Sequence, residues 1–208
     1  MTQPSQRALR LEDIEDIRQY ERSRDEFRRR IIELKARRRV AVGPFVTLLF
    51  ENRDTIRFQV QEMARVERMV SDEQIQGELD VYNPLIPGPG ELSATLFVEL
   101  TDEPSLRQWL PKLVGIERAV ELHLGDGEER SNSATDVVSC IPEQAHEEQL
   151  TRADVTSSVH YIRFVLTPAQ VQRFADERVT LAVAHPSYRE TTVLTSPTRA
   201  ELLGDLRP

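Results

Sequence analysis

Apolar residues recur through residues 11 to 39 mostly at three- and four-residue spacing (Ile14, Ile17, Tyr20, Phe27, Ile31, Leu34). That is the period of a helix with one buried stripe. Acids crowd its start (Glu12, Asp13, Glu15, Asp16) and the run KARRR its end, as the helix dipole favours, and Gly43 and Pro44 stop it. FVTLLF (45–50) is a short apolar run of strand formers, which suits a buried strand. RDTIRFQVQEMARVERMV (53–70) returns to the helical period. Ile56, Val60, Met63 and Val70 share one stripe at roughly 100° per residue, with Glu67 near its middle. Ser71 with Gln74 three residues on reads as a capping box for a second helix through Ile75, Leu79 and Tyr82.

NPLIPGPGE must be loop, because its prolines and glycines break helix and inner strand alike. Beyond it, 92–100 reads as a strand, 104–115 as a short helix weakened by Pro111, and 118–125 as an alternating strand. Residues 126–152 are polar and irregular, read as a hairpin followed by a short helix. SSVHYIRFVL is a strand, TPAQVQRFADE a helix with Thr167 as N-cap and Pro168 at its first turn, and VTLAVAHP the last clear strand. Long helices first, then strands interleaved with short helices, predict an α+β fold with a mostly antiparallel sheet. The expected organisation is one domain over 1–208, with an N-terminal helical arm at about 11–39 and a flexible C-terminal tail.

Composition narrows the function classes. The chain has 39% hydrophobic and 30% charged residues, enough apolar surface for a core. A net charge of -8 argues against a dedicated nucleic-acid binder, which needs a concentrated basic surface. The single cysteine, Cys140, excludes an internal disulfide and any CxxC motif. No membrane-spanning apolar run or signal-peptide core occurs, so a soluble cytoplasmic protein is expected.

Three ionisable groups fall where the pattern expects hydrocarbon. Strand alternation puts His160 on the face of Ile162, Phe164 and Leu166, and His185 on that of Val179, Leu181 and Val183; Glu67 is the third. Buried charges must be neutralised, paired or ligated. Two imidazoles and a carboxylate, Glu67, His160 and His185, would suit a divalent metal such as iron, while a core network in which a histidine donates to Glu67 or a backbone carbonyl is the plainer and commoner alternative. Glu62 lies nearer the stripe's edge, where it either completes a carboxylate pair or, as is commoner, forms a surface ion pair with Arg65; Glu51, at the exit of a buried strand, is a further acidic candidate, although a strand-end charge is more often at the surface. HEEQL at His146 lacks the second histidine of a zinc-binding HExxH helix. Cys140 and His146 have no spacing that supports a thiol nucleophile. The arginines of 28–30 and 37–39 fit a solvated, dipole-matched helix. No glycine-rich phosphate loop or GxSxG elbow is present.

RRRVAVGPFVTLLFENRDTIRFQVQEMARVERM, ELDVYNPLIPGPGELSATLFVEL, LVGIER, TSSVHYIRF and AHPSY together resemble domain-of-unknown-function family three-five-zero-one along nearly the whole chain. The shared run covers Glu51, Arg53, Asp54, Thr55, Gln59, Glu62, Met63, Arg65 and Glu67, the shared loop Glu78 to Pro87, and the histidines His160 and His185. Val155 departs from a position where the family commonly has lysine, and the acidic segment before it is looser than in the family. The family implies no reaction. Its genes often sit beside rubrerythrin and iron-sulfur oxidoreductases, which implies, by association, redox or peroxide-stress metabolism and such a protein as partner.

Two functions are compatible with this sequence. One is an accessory protein or enzyme that binds a metal or small ligand at a pocket of Glu62, Glu67, His160 and His185 beside Tyr82 and Asn83. The other is a non-catalytic partner or scaffold docking on a redox enzyme through its N-terminal helix. The first requires those side chains to converge on a cavity; the second lets them point to separate partners.

Overall fold

The computed structural model describes residues 8–125, 137–143 and 155–207. The fold is α+β, with two antiparallel sheets. Asp16 caps the first long helix, α1 (Ile17–Arg38), accepting hydrogen bonds from the backbone of Arg18 and Gln19. The helix therefore starts at residue 17 rather than near 11, and Leu11–Asp13 form a separate 3-10 turn. β1 (Arg39–Val42) takes up the basic end of the expected helix and pairs with β2 (Val46–Glu51) across the turn at Gly43, whose φ is +73°. Two helices follow, α2 (Arg53–Val66) and α3 (Asp72–Tyr82), capped by Asn52 and Ser71.

β3 (Glu91–Val98) returns to pair with β2. Next come α4 (Glu103–Trp109), cut short into a 3-10 turn that contains Pro111, and then β4 (Val120–Leu124). β5 (Val137–Ser139) and β6 (Ile141–Pro142) are short; the rest of the hairpin and short helix expected there lies outside the described residues. β7 (Val159–Val165), α5 (Pro168–Asp176), β8 (Val179–His185), β9 (Tyr188–Val193) and α6 (Ser196–Leu206) complete the chain.

One sheet has the order β1-β2-β3-β7-β6 and the other β5-β4-β8-β9. One apolar cluster joins their facing sides. Leu48, Phe50, Ala94, Leu96, Ile162 and Phe164 of the first sheet meet Val120, Leu122, Leu181 and Val183 of the second. Strand residues of opposite parity turn the first sheet's other face away from this core. Leu49, Glu51, Thr95, Phe97 and Tyr161 belong to that second face, and α1, α2 and α3 cover part of it. Both faces of the central strands are thus buried, which explains the unbroken burial of β2.

The C-terminal segment is a helix, against the expectation of a flexible tail. Thr195 caps it, Pro197 sits in its first turn, and Thr198, Leu202 and Leu206 at i, i+4 and i+8 are buried. The N-terminal arm is also docked: Tyr20, Phe27 and Ile31 of α1 form their own cluster with Leu34 and Phe58. Arg38 ties these layers together. Fully buried, it donates to the carbonyls of Phe50 and Glu51 and forms ion pairs with Glu201 and Asp205 on α6.

Candidate functional site

Glu67 is exposed at the C-terminal end of α2. The expected stripe fails because the helix stops at Val66: Arg68 adopts a left-handed conformation (φ 53°), and the Met69 N–H reaches back to the Ala64 carbonyl at 2.9 Å. That is a Schellman ending built without glycine. The stripe that is buried runs through Ile56, Val60 and Ala64, while Val66 and Val70 face solvent. Glu67 lies near Glu78 of α3, whose carboxyl is pushed up by burial and then by the Glu67 charge.

Glu62 is a structural anchor between α1 and α2. Arg24 grips it with two bonds, at 2.8 and 3.0 Å, and the Tyr20 hydroxyl donates to it at 2.6 Å. The expected Arg65 contact is present only as a long 3.5 Å bond. The Arg24 guanidinium, opposed in part by burial, holds the carboxyl at about 2 instead of 4.5. A depressed carboxylate contributes stability that is complete above its unfolded value and fades as pH falls toward the folded one. Wild type is therefore expected to be more stable than Glu62→Gln by about 1–2 kcal/mol near neutrality, discounted for partial exposure. Urea denaturation should show the two curves converging as pH falls from about 4.5 toward 2.

The histidines are buried on the faces that alternation assigns them, but they serve different places. Nε2 of His160 lies 2.9 Å from both the Ser157 carbonyl and the Thr156 hydroxyl. His185 accepts the Ser187 N–H on Nδ1 (3.2 Å), so its Nε2 is the donor to the Val114 carbonyl (3.1 Å). These are satisfied core imidazoles. Among the described residues no three His, Cys, Asp or Glu side chains stand together as a metal could require. Glu67, His160 and His185 are not brought together as a ligand set.

Asn83 also has a structural role. Its side chain accepts from the Leu9 N–H (2.8 Å) and donates to the Leu9 carbonyl (3.0 Å), clasping the N-terminal segment as a strand would. Cys140 is buried and donates to the Glu117 carbonyl; burial pushes its thiol up to about 11, which removes nucleophilic character. HEEQL lies outside the described residues.

Of the residues singled out from the sequence as ligand-binding, Tyr82 lines a cavity. The cavity, about 150 Å³, lies between α1, α2 and α3 and the outer face of the first sheet. Sheet register builds its floor: Leu49 pairs with Thr95, Thr95 with Tyr161, and Phe97 with Val159. Glu51 enters at the end of β2, where Thr95 donates to one of its oxygens (2.7 Å) and Thr55 of α2 to the other (2.5 Å). Lys35, Thr55, Ile56, Gln59, Tyr82 and Leu85 complete the wall. Burial, then Tyr82 and Glu51, push the Tyr161 phenol up. Lys35 forms no salt bridge among the described residues, and its ammonium lies 5.6 Å over the Phe58 ring. The Gln59 amide and the Tyr82 hydroxyl have no hydrogen-bond partner among the described residues.

The arrangement offers a buried carboxylate as acceptor, two phenols, an uncommitted amide and one cation around a small space. Sequence reading placed Glu51 as an acidic candidate but favoured the surface for it, and passed over Lys35, Gln59, Thr95 and Tyr161. Alternation gave the face of Tyr161, opposite His160; that this face is roofed by helices is a tertiary fact.

A crystal structure of a protein described as a novel protein of unknown function from Burkholderia pseudomallei K96243 is similar over 96% of this chain and 99% of its own, with 34% identity and a TM-score of 0.84. No curated protein matches. The family model described as "Protein of unknown function (DUF3501)" matches residues 8–206, and the chain belongs to that family.

Proposed function

We propose that this protein binds a small polar molecule in the cavity between its helical layer and its first sheet, with Glu51 as the principal polar contact. The observation that carries this reading is a buried carboxylate facing a partly enclosed hollow and held by two hydroxyls but, among the described residues, by no cation. Binding sites characteristically combine such an apolar hollow with a few convergent polar groups. Tyr82 keeps the ligand-binding role expected of it. This reading leaves out Glu62, held by Arg24 and Tyr20, Asn83, held on Leu9, and the exposed Glu67.

A small ligand is better supported here than a divalent metal. One carboxylate and two hydroxyls at Glu51 lack the imidazoles or further carboxylates of iron, manganese or zinc sites. Docking through the N-terminal helix has weaker support, since Ile32 is the one large exposed apolar side chain of α1. Rubrerythrin-linked redox or peroxide-stress metabolism, implied by the family resemblance, is the setting in which the ligand would be sought.

A thermal-shift screen of small amino acids, amines, organic acids and sugars on wild type and Gln59→Phe tests the reading. The substitution fills the cavity without removing a protein hydrogen bond, because the Gln59 amide makes none among the described residues. A true ligand at ten times its Kd should raise the wild-type midpoint by about 3–6 °C and leave the filled variant unmoved. A library that shifts neither protein, or both equally, would contradict the proposal.

A further inference from the structure

We infer that the cavity takes a small zwitterion, with its ammonium group on Glu51 and its anionic group toward Lys35. The inference rests on the cavity being a binding site and deepens that reading by naming the ligand class.

Glu51 is 7% exposed and carries only neutral partners, the hydroxyls of Thr55 and Thr95. The nearest basic residue bonded to its backbone, Arg38, is committed to Glu201, Asp205 and two carbonyls. A buried carboxylate with no cation beside it leaves its pairing incomplete, and each of its oxygens retains a lone pair after one hydroxyl bond. A ligand ammonium supplies both the missing charge and the missing donors.

Aromatic lining points the same way. Tyr82, Phe97 and Tyr161 all border the space, and a carboxylate among aromatic rings is the setting in which ammonium ions are held by cation–π attraction. Arg39 already covers Phe97, at 5.4 Å, so Tyr82 is the ring of this lining assigned to the ligand.

Lys35 decides between a simple amine and a zwitterion. Lys35 lines the same cavity, its ammonium lies over the neighbouring Phe58 ring, and it has no ion-pair partner among the described residues, so a purely cationic guest would meet repulsion from that side and an anionic group would relieve it. Size adds a limit: about 150 Å³ is the volume of about five waters at ~30 Å³ each. That suits a group the size of a small amino acid.

Isothermal titration with five probes tests the class: L-alanine and glycine as zwitterions, methylammonium, acetate, and glycerol. At least one zwitterion is expected to bind wild type more tightly than methylammonium, acetate or glycerol. Its affinity should fall about tenfold or more in Glu51→Gln and in Lys35→Met and vanish in Gln59→Phe. Tighter binding of acetate or glycerol, abolished by Gln59→Phe, would overturn the zwitterion while leaving the cavity a binding site. So would silence from all five probes while the wider screen finds a ligand that the filled variant loses. Silence in both experiments overturns the class and the site together.

Discussion

Replacing Arg38 with methionine is expected to destabilise the protein by about 3–5 kcal/mol, the scale for removing one member of a buried ion pair. Methionine keeps much of the stem's packing, so the loss is electrostatic. The guanidinium is fully buried and joins three layers: it leaves the end of α1, satisfies the last carbonyls of β2, and meets Glu201 and Asp205 of α6. Without it, the carbonyls of Phe50 and Glu51 lose a buried donor, at about 1–3 kcal/mol for each group left unsatisfied. The two carboxylates keep some access to water, which keeps the total from growing further. Chemical denaturation of the variant and wild type measures the difference. A change within about 0.5 kcal/mol, the range of ordinary surface substitutions, would show that the hub contributes little.

Removal of α6 should have a still larger effect. Truncation after Leu194 deletes Leu202 and Leu206, both buried in the main core, at about 3 kcal/mol each by analogy with leucine-to-alanine cavities. It also strips Arg38 of both carboxylates. Together these losses reach much of the about 5–15 kcal/mol that stabilises a typical domain. The truncated chain is expected to lose its cooperative thermal transition. Retention of a sharp transition near the wild-type midpoint would mean that the helix is dispensable, as a tail would be.

The last helix also shows what could be read from the sequence and what could not. Its signals were present: Thr195 before Ser-Pro as a cap, then Leu202 and Leu206 one turn apart. They are short, and without the buried Arg38 they give no reason to dock. β1 was hidden for a related reason, since Val40 and Val42 follow a helix rich in arginine and the chain leaves that helix without a glycine or proline between.

Burial of the histidines was legible because a strand's period of two fixes the face of each side chain. Their partners were not, because the Val114 carbonyl that holds His185 lies 71 positions away in sequence. Glu67 failed differently. The helical period was extended past a terminus set by Arg68 in a left-handed conformation, which a glycine would have signalled and an arginine does not. Glu51 was undervalued because both faces of β2 are buried, so its apolar run has no alternation to say which neighbours are inside. The cavity itself is assembled from α1, α2, α3 and three strands, and only the folded sheet brings Thr95 and Tyr161 beside Glu51.

The claim that organises these observations is that the space around Glu51 is a ligand site rather than a packing defect. Titrating the strongest ligand of the small-metabolite screen into wild type and Gln59→Phe, with the folding of both checked by thermal melts, tests it most directly. A single saturable site in wild type that disappears in the folded, cavity-filled variant is the predicted result. Equal binding to both proteins would place the ligand elsewhere and leave Glu51 a buried structural carboxylate.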